Sequence, residues 1–167
     1  SCLIEAMKGL GAKLMIIGQG PLEAQLRSQA RRSGTAGNVI FRNVPREESL
    51  GKYIHACDLL ALPSTERTEA YGLALLEAMA CGKPVVTTEL GTGTSFVCEH
   101  GVTGLVVPPR DAPALREAIR ALLSDAGLAR RMGEEGRKRA ETRFSTEVMT
   151  RSFVKLYRRL LNGDLPC

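Results

Sequence analysis

Residues 69–88, EAYGLALLEAMACGKPVVTT, decide the fold of this chain. A helix is predicted from about Gly72 to the turn at residues 82–84, because glycine and proline both end helices. The segment 84–87, with β-branched residues after Pro84, then predicts a strand, and the segment 58–62, with apolar residues after Asp58, predicts another strand upstream. Strand, helix and strand in this order indicate two parallel strands joined by a crossover helix.

The same alternation extends over the first two thirds of the chain. Strands are predicted at 13–17, 39–41, 58–62, 84–87 and 104–107, and helices at 3–10, 22–32, 47–56 and from Gly72 onward. Residues 89–94 are predicted to form a glycine-containing loop. Three further helices are predicted at 112–123, 126–142 and 146–161, with Ser145 as the N-cap of the last one. We therefore expect a single α/β domain over residues 1–167, built on a Rossmann-like doubly wound parallel sheet with extra C-terminal helices.

Composition narrows the class of protein. The chain has 167 residues, 44% of them hydrophobic and 25% charged, which suffices to bury one core. No apolar run reaches the roughly 18 residues of a membrane span, so we expect no anchor. The first residues carry Glu5 and lack a basic region leading into an apolar run, so we expect no signal peptide. The five cysteines are scattered without a Cys-x-x-Cys pair, which is typical of a reducing compartment and favours a cytoplasmic location. With two histidines in all, no metal site is expected.

The net charge of +5 is concentrated after residue 109. Basic residues there alternate with apolar ones at helical spacing, so a solvated helix face is favoured over attraction to anionic lipid or nucleic acid. Aromatic residues make up only 4% of the chain and Trp is absent, which argues against a surface that stacks on bases. We expect no nucleic-acid partner.

Ligands of an open parallel sheet bind at the carboxyl ends of its strands. The loop after the strand at 13–17 reads Gly18-Gln19-Gly20, which suggests a dinucleotide-binding motif. That interpretation fails, because the third glycine of the motif falls at Glu23 and no acidic residue follows about 20 residues later. Two interpretations remain: a tight turn, or small residues that let a phosphate or sugar approach the backbone.

Two glutamates, Glu69 and Glu77, flank the start of the helix at Gly72. The first free amides of this helix, around Gly72 and Leu73, are expected to hold a diphosphate together with the helix dipole. Glu77 lies in the apolar run LALLEAMA and is expected to be half-buried, with ribose hydroxyls as its hydrogen-bond partners. The alternatives are a salt bridge for Glu77 and a favourable interaction with the helix dipole for Glu69.

The stretch PSTERTEAYGLALLEAMACGKPVVTTELGTGTSFVCEHGVTGLVVPPRD, together with IIGQGP and VIFRNVP, resembles the C-terminal domain signature of retaining GT-B glycosyltransferases of the group 1, family 4 type. The resemblance covers almost the whole chain. It implies the donor-binding half of a hexosyltransferase that uses a nucleotide-sugar. The acceptor-binding domain, and the strand with which such a domain ordinarily opens, are expected upstream.

The resemblance also implies roles for individual residues. Glu69 meets the donor sugar as the catalytic residue, either as a positioner or as a nucleophile. The backbone of Tyr71, Gly72 and Leu73 holds the β-phosphate and the sugar, and Glu77 takes the ribose hydroxyls. The remaining positions around the donor are Gly18 and Gly20 in the first turn, Asn43 and Val44 beside the base, and Ser64 at a strand end.

Two departures from the family pattern matter. The Arg and Lys that typically grip the pyrophosphate lie upstream of this chain. Where many members have a Gly-Gly pair followed by a Glu, this chain reads Gly91-Thr92-Gly93-Thr94-Ser95, so only proximity to the site is expected of Thr94 or Ser95.

The implied reaction is sugar transfer with retention at the anomeric carbon, and neither a cofactor nor a metal is required. The EAYG and TGTS segments favour GDP-mannose, with UDP-sugars next, and a glycan or lipid-linked acceptor as in polysaccharide synthesis. This chain alone is expected to bind the donor weakly and not to turn over. The alternatives are a related GT-B epimerase or phosphorylase, and a non-catalytic nucleotide-sugar-binding module.

The last predicted helix, 146–161, has an apolar stripe and a basic face. Core packing is favoured for the stripe. Its alternatives are a crossing to the N-terminal domain and peripheral contact with anionic lipid on the cytosolic side of a membrane.

Overall fold

The computed structural model describes residues 2–43 and 50–163, which alternate between helices and short strands. The helices are α1 Cys2–Ala6, α2 Glu23–Arg32, α3 Leu50–Ala56, α4 Leu73–Ala80, α5 Gly93–Val97, α6 Ala112–Ser124, α7 Ala126–Arg143 and α8 Thr146–Leu161, with a short 3-10 helix at Ala36–Asn38. The strands are β1 Leu14–Ile17, β2 Val39–Arg42, β3 Leu60–Leu62, β4 Val85–Thr88 and β5 Gly104–Val107.

All the strand pairs are parallel, as predicted. β1 pairs with β2 in one sheet, and β3, β4 and β5 form a second sheet in that order. The α/β class is thereby confirmed. In the described part of the chain no ladder joins the two sheets.

Helix α1 links the two sheets through its buried side chains. Ile4 packs in a cluster with Ala30 and Val39, which belong to the layer of the first sheet. Ala6 packs in a cluster with Val86 and Leu115, which belong to the layer of the second. A five-residue helix is marginal in isolation, so burial against both layers stabilises it.

Strand β4 is the centre of the second sheet, and all four of its residues are buried. Its two threonines satisfy their hydroxyl groups on the neighbouring strand and loop, because a buried hydroxyl without a partner is costly. Thr87 donates to the Leu62 carbonyl at 3.0 Å, and Thr88 donates to the Ser64 carbonyl at 2.6 Å. These bonds attach the end of β3 to β4.

Helix α7 lies very close to α4, and two glycines permit the approach. A Cβ atom on Gly133 would stand 2.1 Å from the Gly82 carbonyl oxygen, and one on Gly136 would stand 3.2 Å from Cγ of Met79. The face of α4 with Leu75 and Met79 is fully buried by this packing. The position of α4 is therefore set by α7 as well as by the sheet.

Several predicted boundaries need correction. The first helix ends at Ala6 instead of residue 10, and residues 47–49 of the predicted third helix lie outside the described residues. The loop predicted at 89–94 instead leads into the short helix α5, which begins at Gly93. Gly93, Thr94 and Ser95 in this helix have low helix propensity, so the tertiary contacts described below stabilise it.

The three C-terminal helices agree with the prediction within one residue at each end. The Ser145 hydroxyl accepts the Val148 amide at 3.3 Å, as expected of an N-cap. The favoured core packing of α8 is wrong for this chain, because none of its residues is buried. Among the described helices, none combines the length and the apolarity needed to cross a membrane.

Candidate functional site

The carboxylate of Glu69 is held at the start of α4, in the loop that follows β3. Its Oε1 accepts the Gly72 amide at 3.1 Å, and its Oε2 accepts the Ser64 hydroxyl at 3.4 Å. Gly72 has φ 78°, and a Cβ there would stand 2.9 Å from a methyl carbon of Leu75. Only glycine takes this left-handed conformation without strain, so the sequence Tyr-Gly-Leu is what allows the turn.

The amides at the start of α4 are partly occupied. Gly72 was expected to offer a free amide, and that expectation is wrong, because Glu69 takes it. Among the described residues, the amides of Leu73 and Ala74 have no hydrogen-bond partner, and the Leu73 side chain is 67% exposed. Two amides without a partner and the positive end of the helix dipole therefore lie together at the start of α4, an arrangement that binds anions.

Glu77 lies on the same exposed face of α4 as Leu73, one turn further along the helix. It follows Leu73 by four residues and is exposed, as are Leu73 and Ala80, whereas Leu75 and Met79 on the opposite face are buried. The predicted half-burial of Glu77 is wrong, because the apolar residues around it do not indicate which face of the helix is exposed to solvent. Within the described residues Glu77 forms no ion pair. Its carboxylate is free to accept hydroxyl groups of a ligand.

Residues 89–95 run from the end of β4 into the first turn of α5, and they pack against the loop that follows β3. The Thr92 hydroxyl donates to the Glu69 carbonyl at 2.9 Å, and the Gly93 amide donates to the Ala70 carbonyl at 2.8 Å. A Cβ on Gly93 would stand 2.6 Å from that carbonyl oxygen, so the contact requires glycine. Thr92 and Gly93 thus hold the backbone of residues 69–72 in place by hydrogen bonds to the carbonyls of Glu69 and Ala70.

Thr94 and Ser95 were expected near the site, and their hydroxyl groups bond to residues 88–92. The Thr94 hydroxyl is 3.3 Å from that of Thr92 and donates to the Thr88 carbonyl at 3.3 Å. Ser95 donates to the Glu89 carboxylate at 2.9 Å. The residues of this segment that hydrogen-bond to Glu69 and Ala70 are Thr92 and Gly93, which sequence analysis did not select, because nothing local to them indicates a partner 23 residues away.

The remaining predicted residues lie at the edge of the first sheet. Gly18 has φ 138°, and its amide donates to the Arg42 carbonyl at 3.1 Å, which places it beside Asn43. Gly18, Gly20 and Asn43 are all exposed at the carboxyl ends of β1 and β2. Val44 lies outside the described residues. In the parts of the chain that are described, no hydrogen bond joins this group to the group around Glu69.

Burial lowers the reactivity of two of the described cysteine thiols. Burial raises the pKa of the Cys98 thiol to about 11, so it stays protonated and unreactive at neutral pH. Burial also raises the pKa of Cys57. Residues 2–43 and 50–163 contain no group of three His, Cys, Asp or Glu side chains arranged to hold a metal ion.

Comparison with known proteins identifies relatives over nearly the full length of the chain. The profile of the family described as glycosyl transferases group 1 matches residues 1–139. O-antigen chain mannosyltransferase C of Escherichia coli is 36% identical over 161 residues, which are 96% of this chain and 43% of that protein. D-rhamnosyltransferase WbpZ of Pseudomonas aeruginosa is 39% identical over 143 residues, 86% of this chain and 37% of that protein.

Solved structures with the same fold agree with these relatives. Sucrose-phosphate synthase from Thermosynechococcus elongatus superposes with a TM-score of 0.86 and 31% identity, covering 97% of this chain and 42% of that one. Anabaena HepE in complex with UDP-glucose superposes with a TM-score of 0.82 and 25% identity, covering 94% and 44%. The chain spans less than half the length of these proteins.

Proposed function

Because this chain belongs to the glycosyl transferases group 1 family, we propose that it is the donor-binding part of a hexosyltransferase that uses a nucleotide-sugar. The observation that carries the proposal is the start of α4. There, the free amides of Leu73 and Ala74 lie beside the carboxylate of Glu69, and Glu77 lies on the same open helix face. Amides suit a diphosphate, and carboxylates suit the hydroxyl groups of a sugar and a ribose.

The proposed chemistry is transfer with retention at the anomeric carbon. The bond from that carbon to the diphosphate oxygen breaks, and its electron pair leaves with the diphosphate. An acceptor hydroxyl oxygen forms the new bond, and the hydroxyl proton passes to the released diphosphate. Negative charge grows on the departing diphosphate, so amides and a helix dipole that are already in place stabilise the transition state. Glu69 acts on the sugar, as positioner or as nucleophile. Because this chain spans less than half the length of its relatives, we expect the acceptor to bind outside the matched segment. We call a protein of the relatives' length that contains this chain the longer protein.

This arrangement leads us to propose that transfer needs no divalent metal. The amides of Leu73 and Ala74 and basic groups upstream supply the charge stabilisation that a metal provides in other transferases. Transfer by the longer protein should therefore persist in excess EDTA. Loss of transfer in EDTA, restored by Mg²⁺ or Mn²⁺, would contradict the proposal.

We propose GDP-mannose as the donor, with a UDP-sugar as the second candidate, and a glycan or lipid-linked acceptor. Two relatives, the O-antigen mannosyltransferase and the D-rhamnosyltransferase, support a hexose of the mannose type. The structural similarity to HepE, solved with UDP-glucose, keeps UDP in consideration. We assign the base contacts to Asn43, which is exposed at the edge of the first sheet, and to Val44.

Calorimetry with GDP, UDP and ADP tests the site, on this chain and on the longer protein. Glu77→Ala should weaken binding of the preferred nucleotide about tenfold, because it removes hydrogen bonds between a charged group and the ribose. Glu117→Ala, which removes an exposed carboxylate from α6, is the matched control and should leave affinity unchanged. Unaltered affinity in Glu77→Ala would refute the assignment, and a longer protein that binds without transferring sugar would be a binding module.

We also propose that α8 makes peripheral contact with an anionic lipid surface on the cytosolic side. Its exposed apolar residues Met149, Phe153, Leu156, Tyr157 and Leu160 share one face at helical spacing. The basic residues Arg151, Lys155, Arg158 and Arg159 lie around the other side. A helix of this pattern lies in the plane of a lipid surface, with its apolar face inserted and its charges near the headgroups.

A further inference from the structure

We propose that Arg139 and Phe144, at the end of α7, position residues 69–72 for binding of the nucleotide-sugar. Here residues 69–72 are called the Glu69 loop. The inference rests on the function proposed above, since it assigns to α7 the placement of that same site. Neither residue belongs to the site itself. Arg139 acts through α5, and Phe144 acts through α5 and through its direct contact with Tyr71.

Arg139 clamps the last turn of α5. Its Nε donates to the Val97 carbonyl at 3.1 Å, and its Nη2 donates to the Phe96 carbonyl at 2.7 Å. Its Nη1 is 2.9 Å from the carboxylate of Glu99, and its side chain is only 15% exposed. These carbonyls lie at the negative end of the helix dipole, where a planar cation with several N–H groups binds best.

Phe144 connects the same clamp to the Glu69 loop through aromatic contacts. Its ring lies edge-on to Tyr71 at 6.1 Å and to Phe96 at 5.8 Å between centroids. The Arg139 guanidinium lies 5.6 Å from the Phe144 ring and 5.8 Å from the Phe96 ring. Each distance is within the range of a favourable aromatic or cation–π contact.

The opposite end of α5 is bonded to the Glu69 loop. The Gly93 amide donates to the Ala70 carbonyl at 2.8 Å, and the Thr92 hydroxyl donates to the Glu69 carbonyl at 2.9 Å. The contacts therefore form a closed ring, from the loop to α5, then to Arg139 and Phe144, and back to Tyr71. A ring of contacts restricts the loop more than a single attachment does, because motion at any point strains the others.

The consequence concerns the open amides of α4. The Glu69 loop ends at Gly72, so its placement fixes where the amides of Leu73 and Ala74 point and where the Glu69 carboxylate lies. Binding to groups already in place avoids the entropic cost of ordering them. Release of the clamp should therefore weaken nucleotide binding although no contact to the nucleotide is removed.

The chain offers a matched control in Arg116. Its Nε and Nη2 donate to the carbonyls of Ala6 and Glu5, the last residues of the five-residue helix α1, at 3.1 and 3.0 Å. Arg139 and Arg116 thus make the same kind of contact with helices of the same length. Only Arg139 connects to the Glu69 loop, so a purely structural effect appears in both variants and a positioning effect in one.

The experiment compares Arg139→Ala, Arg139→Lys, Phe144→Leu and Arg116→Ala in this chain, below the melting temperature of each. Hydrogen exchange of the Gly72 amide, without nucleotide, should accelerate in Arg139→Ala and Phe144→Leu and stay unchanged in Arg116→Ala. Affinity for GDP or UDP, whichever the wild type binds, should fall about fivefold in Arg139→Ala, a typical effect of a positioning residue. Arg139→Lys should recover part of both effects, since lysine keeps the charge and one hydrogen bond.

Gly72 exchange and nucleotide affinity together distinguish failure of the positioning role from failure of the proposed function. Gly72 exchange at the wild-type rate in Arg139→Ala, or an equal change in Arg116→Ala, overturns the positioning role. Faster exchange with undiminished affinity also overturns it, because the loop would then move without consequence for the nucleotide. If the wild type binds neither GDP nor UDP in this chain or in the longer protein, the proposed function fails, and exchange alone still decides whether the clamp holds the loop.

Discussion

The Glu69 carboxylate accepts the backbone amide of Gly72 at 3.1 Å, three residues further along the chain. Glu69 thus satisfies one of the open amides of α4 by the same geometry as an N-cap residue. Its second oxygen accepts the weaker Ser64 bond at 3.4 Å. A sugar hydroxyl can replace Ser64 at that oxygen while the bond to Gly72 persists. One carboxylate can therefore shape the loop and meet the ligand at once.

Substitution of Glu69 should separate these two roles. Glu69→Gln keeps an oxygen that can accept the Gly72 amide, so the free energy of unfolding should fall by no more than about 0.5 kcal/mol, whereas Glu69→Ala should lose about 1 kcal/mol. Sugar transfer by the longer protein should be abolished by both. Urea unfolding and a transfer assay make the comparison. Full transfer by Glu69→Gln would remove Glu69 from the reaction.

The left-handed turn at Gly72 should resist substitution. Gly72→Ala combines a positive φ with a Cβ 2.9 Å from Leu75, so it should destabilise the chain. Gly9→Ala is the matched control, because Gly9 has φ 74° and no neighbour within 4 Å. The free energy of unfolding should fall by about 1 kcal/mol or more beyond the loss in Gly9→Ala, owing to overpacking. An equal loss of unfolding free energy in the two variants would mean that the Leu75 side chain moves away without cost.

The close approach of α7 to α4 should make Gly133 irreplaceable. A Cβ at this position meets the backbone oxygen of Gly82 at 2.1 Å, and a backbone atom cannot rotate away. Gly133→Ala should therefore cost about 1 to 3 kcal/mol in unfolding free energy, despite the higher helix propensity of alanine. Gly127→Ala, in the first turn of the same helix, meets only side-chain atoms, the nearest being Asp125 Oδ1 at 3.2 Å, so it should cost less than Gly133→Ala. Thermal unfolding of both variants checks the prediction, and a stable Gly133→Ala would contradict the tight packing.

The lipid contact of α8 can be tested with vesicles. The longer protein should sediment at low salt with vesicles containing phosphatidylserine and remain in solution with phosphatidylcholine alone. Arg158→Glu with Arg159→Glu should abolish sedimentation, because each basic residue contributes about 1 kcal/mol near an anionic surface. Arg137→Glu, which reverses an exposed charge on α7, serves as the control. If the wild type does not sediment with phosphatidylserine vesicles, the lipid proposal is dropped. We would then expect the apolar face of α8 to pack against another part of the protein.

Local patterns predicted most of the elements correctly. β5 and α8 have the predicted boundaries, and α6 and α7 differ by one residue at their ends. These elements are framed by proline, by capping side chains such as that of Ser145, and by continuous apolar runs. Sequence analysis missed helix α5 because no local pattern marks it as a helix. Its residues favour a loop, and its bonds to Ala70 and Arg139 come from distant parts of the chain.

The sequence by itself determined the parallel α/β architecture, the order of its elements and the placement of Glu69 before a helix with a glycine at its start. Each of these depends on residues within a few positions of one another. Tertiary structure alone decided that Glu77 faces outward, that Thr92 and Gly93 support the Glu69 loop, and that Arg139 clamps α5. These relations depend on which faces meet when distant segments pack together, and no local pattern of side chains specifies that.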